Sequence, residues 1–365
     1  MSGRAGVGST AGESRKFRIL VVNPGSMGTR LALFRDDEAE AEEEVRHPAR
    51  PPGSGLWGEV PARRASILEF LERRGVAATE LDAVVGRGGL LRPVDGGVYE
   101  VNEAMLRDAR AGVQGHHPAN LGAPLARAIA DVAGVQAFVV DPVSVDEFDP
   151  ESHVSGLAGI RRRSLSHALS VHASVRALAR DLGRPWRELR VVVAHLGGGV
   201  SVCPVRGGRI VDANNAVSEG PFSPQRSGGL PVQELLDLVY SGHHTEAEVR
   251  RMTVGRGGFL SYLGTDDVPQ VERRIDAGDD DAALVMRAFV HQVAKEIGGM
   301  ATVLSGRLDA VVLTGSLARS ERLTSALEER IGYLAPVRVL PVQEMQALAR
   351  GALMVLRGEE PAQAY

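Results

Sequence analysis

The chain has 365 residues, a formal net charge of −4 and a single cysteine, Cys203. The length predicts two domains or one large one, and 44% hydrophobic residues suffice for a sizeable core. The charge argues against a broad basic surface for nucleic acid, and a lone cysteine excludes an intrachain disulfide and a cysteine-based zinc site.

Residues 1–16 are rich in glycine and serine and lack the apolar segment of a signal peptide, so we expect a disordered tail. No apolar run reaches the length that a membrane-spanning helix needs. These features together predict a cytoplasmic protein.

The segment after this tail, 17–34, predicts a strand, a glycine-containing turn and a second strand. It reads "FRILVVNPGSMGTRLALF", in which an almost continuous apolar run ends at Asn23 and resumes after the turn. Continuous apolar strands are typical of a sheet covered on both faces.

Helical spacing of apolar residues recurs along the chain. It predicts helices at 61–74, 102–110, 120–132, 164–182, 232–240, 280–304 and 320–333, and a last helix that opens at Glu344. A proline- and glycine-rich loop is expected at 47–59, and the boundary between two halves at 147–159.

The second half repeats the plan of the first. Residues 189–205, "LRVVVAHLGGGVSVCPV", again read as strand, glycine turn and strand, and "LDAVV" follows in both halves, at 81–85 and 308–312. We therefore expect two domains built on one α/β plan. Ligands of such folds lie at the carboxyl ends of strands, where Asn23, Arg87, His195 and Gly315 are placed.

The two glycine turns suit a phosphate, because bare backbone lets N–H groups approach an anion closely. An ordinary turn or bulge remains the alternative for either of them. Lysine occurs only at Lys16 and Lys295, and no G-x-x-x-x-G-K-[ST] motif exists, which excludes a P-loop. Arginine, backbone N–H groups or a metal must therefore meet any phosphate charge.

Six stretches spread from residue 19 to about 350 carry a family resemblance: "ILVVNPGS", "VGRGGLLRPVDGGVYEVNEAML", "GVQGHHPANLGAPLA", "AHLGGGVSV", "VDANNAVSEGPFSPQRSGGLP" and "LTGSLA". They resemble the butyrate kinases, in the acetate kinase branch of the actin/hexokinase/Hsp70-type phosphotransferases. The resemblance implies two duplicated actin-like (ribonuclease H-like) α/β domains with an interdomain active-site cleft. It places the acyl side at 17–153 plus 346–365 and the nucleotide side at 154–345.

This family transfers the γ-phosphoryl group of ATP to a short-chain carboxylate, reversibly and with Mg²⁺. The resemblance therefore implies a butyrate kinase acting on butyrate or a branched homologue, with ATP/ADP as co-substrate. An acetate or propionate kinase and a non-catalytic nucleotide-binding relative are the alternatives. A sugar kinase on the same fold would need a base, for which Asp141 could serve, but paired arginines fit an anionic acceptor better. We expect a homo-oligomer without nucleic-acid or membrane partners.

Four positions match the catalytic residues of the family: Arg87, Asp141, His167 and Arg226. A carboxylate acceptor is already anionic at neutral pH, so the site needs fixed cations more than a strong base. Flanking glycines are expected to free the Arg87 fork for a carboxylate. A surface arginine and a turn-capping aspartate are the ordinary alternatives for Arg87 and Asp141.

A second set would bind the nucleotide and its metal by the same resemblance. Phosphate and nucleotide contacts are assigned to Asn23, Ser26, His195, Gly197, Gly198, Gly199, Asn215, Gly315 and Ser316. Glu344 would help to hold Mg²⁺ through water, with Asn23. A dipole-favoured first-turn glutamate remains an alternative for Glu344, and an Asx turn is as well supported for Asn215.

Three further histidines, and the positions at which the chain differs from the family pattern, also carry expectations. His172 is interpreted as structural, and a metal site at the adjacent histidines of "GHHPAN" is rejected because neither can easily face one ion with the other. The chain departs from the family at Met27, Gly28 and Arg30 of the first hairpin, at Ser316 and in "GHHPAN". Met27, Gly28 and Ser316 bear on nucleotide affinity, whereas Ser166, in place of an aromatic residue, bears on the packing of His167. None removes a matched catalytic residue, so we expect activity.

Overall fold

A computed structural model describes residues 15–48 and 55–365. Almost all of the expected tail, and the middle of the loop expected at 47–59, lie outside these residues. None of the helices in the described part is long and apolar enough to cross a membrane.

The first half folds around a six-stranded sheet of order β3-β2-β1-β4-β6-β5. The apolar run before Asn23 forms its first strand, and the glycine turn leads into the second, as predicted. The strands are β1 (Arg18–Pro24), β2 (Gly28–Arg35), β3 (Glu38–Arg46), β4 (Ala83–Arg87), β5 (Val98–Glu100) and β6 (Gln136–Val140).

The second half contains a five-stranded sheet of order β11-β10-β7-β8-β9. Its strands are β7 (Arg190–Leu196), β8 (Val200–Arg206), β9 (Arg209–Ile210), β10 (Ala310–Thr314) and β11 (Val337–Val339). The glycines at 197–199 connect β7 to β8, so this hairpin repeats the one between β1 and β2.

The two sheets share one topology, which confirms the predicted duplication. In each, the first strand pairs antiparallel with the second and parallel with the strand that the "LDAVV" repeat begins. Ile19 lies opposite Ala83 in the first sheet, and Val191 lies opposite Ala310 in the second. The fold is therefore two similar α/β units of actin-like type.

The helices cover both sheets. Those of the first half and the boundary are α1 (Val60–Arg73), α2 (Glu103–Ala111), α3 (Gly122–Ala133) and α4 (Ala168–Leu182). The others are α5 (Val232–Tyr240), α6 (Glu246–Thr253), α7 (Gly258–Leu263), α8 (Val268–Asp276), α9 (Asp280–Val303), α10 (Glu321–Ile331) and α11 (Glu344–Leu356).

All predicted helices are present; α5 has the predicted bounds and α11 begins at Glu344 as predicted, and the other helices have shifted ends. The helix expected at 164–182 begins at Ala168, and the one expected at 120–132 begins at Gly122, after a 3₁₀ turn. Three helices were not predicted, α6, α7 and α8. They are short, and α6 buries no residue, so the sequence carries no apolar face to reveal it.

Helices α4 and α11 form the layer between the two sheets. Met345 and Leu348 of α11 pack on the first sheet, whereas Val171 and Val175 of α4 pack on the second. Leu169, at the start of α4, joins the cluster of the first sheet. The division of the chain at residues 153 and 345 stays a prediction.

Candidate active site

Arg87 and Glu344 form an ion pair where β4 ends and α11 begins. Arg87 Nη1 donates a hydrogen bond to Glu344 Oε2 at 2.6 Å, and the Arg87 residue is 8% exposed. Burial raises the pKa of Glu344, but the charge and hydrogen bond of Arg87 outweigh it, so this carboxyl stays below its usual range. Arg87 Nε is buried without an acceptor. The guanidinium thus keeps hydrogen-bonding capacity that the protein does not use.

Close backbone packing sets the position of Arg87. A Cβ at Gly86 would lie 2.2 Å from the carbonyl oxygen of Gly122, the first residue of α3. Glycine is therefore needed here so that the end of β4 can reach the start of a helix. We expected the flanking glycines to free the arginine fork, and at Gly86 the structure shows a packing role.

His195 and His167 stack against each other beside this ion pair. Their rings lie 3.9 Å apart at an interplanar angle of 11°. His195 is the last residue but one of β7, whereas His167 immediately precedes α4 and its Nδ1 lies 2.9 Å from Ser201 Oγ. His195 Nδ1 is buried without a hydrogen-bond partner. The pair therefore presents ring nitrogens that a ligand could use.

Both imidazoles are held neutral. Burial, together with the charge of Arg87, lowers the pKa of His195 to about 4, although Glu344 acts in the opposite direction. Burial, His195, Arg87 and Arg226 lower the pKa of His167 well below its ordinary value. Neutral imidazoles can each donate one N–H to an anion, and an arriving negative charge would make their protonation easier.

Arg226, in the loop that follows β9, lies beside His167 and the β7–β8 turn. A Cβ at Gly199 would lie 2.5 Å from Arg226 Nη1 and 3.4 Å from a ring carbon of His167. Only glycine at this position lets the guanidinium rest on the β7–β8 turn beside His167. Arg226 Nη1 also donates to the Ala216 carbonyl at 2.8 Å, and burial lowers the pKa of Arg226.

His117 is a further residue of this cluster, and the sequence reasoning missed it. Loss of hydration, and after it the charges of Arg87 and Arg226, lower the pKa of His117, although the residue keeps an exposed surface. Its Nδ1 accepts a hydrogen bond from Ala119 N at 3.2 Å. Its place in "GHHPAN", one of the stretches that carry the resemblance, was the available signal.

The β1–β2 hairpin approaches the same cluster. Asn23 lies opposite Arg30 in the ladder, and Arg30 is close enough to Glu344 to help lower the pKa of that carboxyl. Ser26 is exposed at the tip of the turn. Asn23 and Ser26 are therefore placed where a ligand of the cluster could meet them.

An unpredicted arginine, Arg63 of α1, holds this hairpin in shape. It is 1% exposed and makes five hydrogen bonds. Its acceptors are the carbonyls of Gly25 and Gly28, the hydroxyl of Thr29 and the carboxylate of Glu59. The guanidinium thereby satisfies carbonyls on both sides of the turn.

Asp141 has a different setting from the other predicted catalytic residues. It is 2% exposed, and its Oδ1 lies 2.9 Å from His172 Nδ1 and accepts from Gly97 N at 2.8 Å. His172 Nε2 lies 3.3 Å from Glu147 Oε2. Within the described residues, no hydrogen bond or ion pair joins Asp141 to the arginine–histidine cluster. A catalytic role for Asp141 stays a prediction, and His172 is its observed partner.

The remaining nucleotide candidates lie in turns. Asn215 Oδ1 accepts from Val217 N at 3.0 Å, so Asn215 forms the Asx turn that we weighed. Gly315, at a φ of +90°, has its Cα against the Leu196 backbone, and Ser316 is exposed beside it. Gly198 is exposed at the centre of the β7–β8 turn. Gly197 donates to the Gly199 carbonyl at 3.1 Å and closes that turn.

No group of three or more histidine, cysteine, aspartate or glutamate side chains within 15–48 and 55–365 is arranged to ligate a metal directly. Glu344 fits a water-mediated site better. Its Oε2 is held by Arg87, while its Oε1 accepts no hydrogen bond from the described residues. That oxygen could accept one from a metal-bound water.

Comparisons with known proteins bear on the fold and on part of the sequence. Residues 150–331 match the model of the acetokinase family. The fold is similar to acetate kinase from Porphyromonas gingivalis, with a TM-score of 0.78 and 18% identity over 93% of this chain and 100% of that one. It is also similar to a propionate kinase from Francisella tularensis subsp. tularensis SCHU S4, with a TM-score of 0.73 and 18% identity over 92% and 98%.

Proposed function

We propose that this protein, of which residues 150–331 match the model of the acetokinase family, transfers the γ-phosphoryl group of ATP to a short-chain carboxylate. One observation carries the proposal. Arg87 and Arg226, from different halves of the chain, flank two stacked neutral imidazoles, one near the end of β7 and the other just before α4. This arrangement suits the meeting of two anions, which must be brought together against their mutual repulsion.

Some of these residues would bind the acceptor carboxylate, and the others would bind the phosphoryl group. Arg87 would hold the carboxylate in bidentate fashion, since a guanidinium fork matches carboxylate geometry. His167, His195 and Arg226 would donate to the equatorial oxygens of the phosphoryl group. The acceptor is already ionised at neutral pH, so no side chain has to remove a proton from it.

The nucleotide would lie on the two glycine hairpins. The residues proposed for it are Asn23, Ser26, Gly197, Gly198, Gly199, Asn215, Gly315 and Ser316. Glu344 and Asn23 would hold Mg²⁺ through water, and the bound ion neutralises phosphate charge. Arg87 forms an ion pair with Glu344, so we expect this pair to loosen when the acid and nucleotide bind.

We infer butyrate or a branched homologue as the acid, from the resemblance of the sequence motifs to butyrate kinases. Acetate and propionate are supported equally by the family match and by the fold. One methylene in an apolar pocket changes binding by about 1–3 kcal/mol, so related acids should differ by measurable ratios. Values of kcat/KM for acetate, propionate, butyrate and isobutyrate decide the assignment. Acetate outperforming the four-carbon acids would refute it.

The activity itself is tested by trapping the product. Incubation with ATP, Mg²⁺, butyrate and hydroxylamine should yield butyryl hydroxamate, because hydroxylamine captures an acyl phosphate. A non-catalytic nucleotide-binding relative would give no hydroxamate with any acid of the panel and would show only stabilisation by nucleotide. Omission of the acid is the matched control.

We also propose that the chain forms a homo-oligomer. Helix α5 buries no residue, yet it carries Val232, Leu236 and Tyr240, which are 65%, 42% and 82% exposed. An amphipathic helix with an uncovered apolar face is typical of an interface. Light scattering on the purified protein should give at least twice the monomer mass. A second measurement on Leu236→Glu should give a smaller species.

A further inference from the structure

A groove of about 430 Å³ runs between α4 and α11, the two helices of the layer between the sheets. Its size falls in the range of small-molecule sites, roughly 300–1,000 Å³. None of Arg87, His167, His195 or Arg226 lines it. The groove is therefore separate from the proposed phosphotransfer site.

Each helix presents one face to the groove. Helix α4 contributes residues at helical spacing, Ala173, Arg176, Ala177 and Arg180. Helix α11 and the residue before it contribute a matching row, Gln343, Gln346, Ala347, Arg350, Gly351 and Met354. Spacings of three and four place such residues on one side of a helix. Alanine and glycine leave an apolar space between the helices, and arginine side chains lie along it.

The charges of the groove are unequally compensated. Four arginines line it against three carboxylates, those of Asp37, Asp181 and Glu359. Arg350 pairs with Asp37 at 2.7 Å, and Arg357 lies 3.5 Å from Asp36. These two cations are thus neutralised at one end of the groove.

Arg180 differs from the other three arginines of the groove. Arg176 Nη2 lies 3.3 Å from both carboxylate oxygens of Glu360, and its guanidinium lies over the Trp186 ring. Arg180 is exposed, and its side chain forms no ion pair or hydrogen bond with the described residues; its chain neighbour Asp181 lines the same side. The unpaired guanidinium of Arg180 therefore borders an apolar space at the α4 side of the groove, which favours a ligand with an anionic head and an apolar body.

Both helices lead directly to the phosphotransfer site. His167 immediately precedes α4, and Glu344 is the first residue of α11. Gln343, which lines the groove, is the neighbour of Glu344 in the chain. A molecule wedged between these helices would bias their relative position and, with it, the separation of residues from the two halves.

The geometry points to an effector site in this groove for a small amphiphilic monoanion, with its hydrocarbon body against Ala173, Ala177 and Ala347 and its head at Arg180. Binding there changes nucleotide affinity through α4 and α11. Linkage requires that nucleotide change the affinity of this ligand by the same factor.

Octane-1-sulfonate is the probe, because it has an apolar chain and a monoanionic head that cannot become an acyl phosphate. Isothermal titration calorimetry on the full chain should give saturable binding to the wild type. Arg180→Glu should weaken it at least tenfold, and Arg64→Glu, a charge-matched change at an exposed residue of α1, should leave it within twofold. The octyltrimethylammonium cation should not bind with comparable affinity.

Two further measurements separate this site from the phosphotransfer site. Arg226→Lys should retain octane-1-sulfonate binding, since Arg226 does not line the groove. ADP affinity should change at least threefold when the probe saturates the wild type, and should not change in Arg180→Glu. Ala177→Trp, which fills the groove, should abolish probe binding while the thermal unfolding temperature stays near that of the wild type.

Binding that Arg180→Glu leaves unchanged, or that Arg226→Lys abolishes, would overturn the groove assignment. Saturable binding in the groove without any change in ADP affinity would overturn its effector role. Probe binding is measured without turnover, so the groove assignment stands or falls independently of carboxylate kinase activity.

Discussion

Two histidines at the start of α4 have opposite electrostatic settings although they are five residues apart. His172, 4% exposed, lies between the carboxylates of Asp141 and Glu147. Burial acts against its charge, but the two acids raise the pKa of His172 to about 10. His167 meets another imidazole and two arginines, and its pKa lies well below the ordinary value.

The difference separates a cluster with balanced charge from one that is dominated by cations. The His172 cluster is an imidazolium with two carboxylates, which also accept backbone hydrogen bonds from Gly96, Gly97 and Ile210. The His167 cluster holds two arginines and two neutral imidazoles against the carboxylate of Glu344. His172 Nε2 and His195 Nδ1 are both buried without a hydrogen bond, so charge is what distinguishes the clusters, and the one with excess positive charge calls for an anionic ligand.

The largest effect on stability is expected when His172 is replaced. His172→Leu leaves Asp141 and Glu147 as buried carboxylates without their cation, so the free energy of unfolding should fall by about 3–5 kcal/mol. Urea denaturation at pH 7 measures it.

His167→Leu is the matched control for His172→Leu. The His167 side chain is neutral and makes one side-chain hydrogen bond, to Ser201, so its loss should cost no more than about 1.5 kcal/mol. Equal losses of stability in the two variants would remove the distinction between the clusters.

The next largest effect concerns turnover. Arg226→Lys keeps the charge but not the planar fork that lies on Gly199, so kcat for hydroxamate formation should fall by roughly 10²–10³-fold. Arg87→Lys should behave similarly. Arg256→Lys, at an exposed position of a nearby loop, is the control and should keep wild-type kinetics. Near-normal kcat in both active-site variants would remove the arginines from the mechanism.

Sequence patterns predicted the hairpins, the duplicated sheets and most of the residues that meet at the strand ends. Continuous apolar runs and glycine turns are local features, so they can be recognised without the fold, and the motif resemblance supplied His167 and Arg226. The pairing of Asp141 with His172 could not be predicted in this way. It depends on how β6 packs against α4, elements more than 25 residues apart in the chain.

Arg63 was missed for a similar reason. An arginine on an amphipathic helix is typical of a solvent-exposed position, and "VPARRASILEF" does not reveal which of two adjacent arginines turns inward. The structure buries Arg63 under the β1–β2 turn and leaves Arg64 exposed. The β1–β2 hairpin lies next to α1 only in the folded chain, so the sequence alone does not show that Arg63 contacts it.

The pH dependence of stability also distinguishes the charged His172 from the neutral histidines of the active site, and we expect a smaller effect. The pKa of His172 is raised in the folded state to about 10, so its stabilisation is complete below about pH 6.5 and is lost as the pH rises through 10. The stability difference between wild type and His172→Leu should therefore narrow by at most about 1.4 kcal/mol per pH unit between pH 7 and 9.5.

His195 should act in the opposite direction. Its folded-state pKa of about 4 means that its contribution is present above about pH 6.5 and is lost as the pH falls toward 4. Urea titrations of the wild type, His172→Leu and His195→Leu across pH 5–9.5 separate the two slopes. A pH-independent difference between the wild type and His172→Leu would contradict the charged state of that imidazole.

The smallest expected effect tests whether Arg63 stabilises the β1–β2 turn. Arg63→Lys keeps a cation near Glu59 but cannot donate to the Gly25 and Gly28 carbonyls together, so the turn should loosen. The KM for ATP should rise about three- to tenfold with kcat within twofold, since lost uniform binding raises KM alone. Arg64→Lys, one residue further along the same helix, should leave both constants unchanged. An equal fall in kcat and kcat/KM would instead mean that Arg63 acts on the transition state, and the hairpin would then belong to the phosphotransfer chemistry itself.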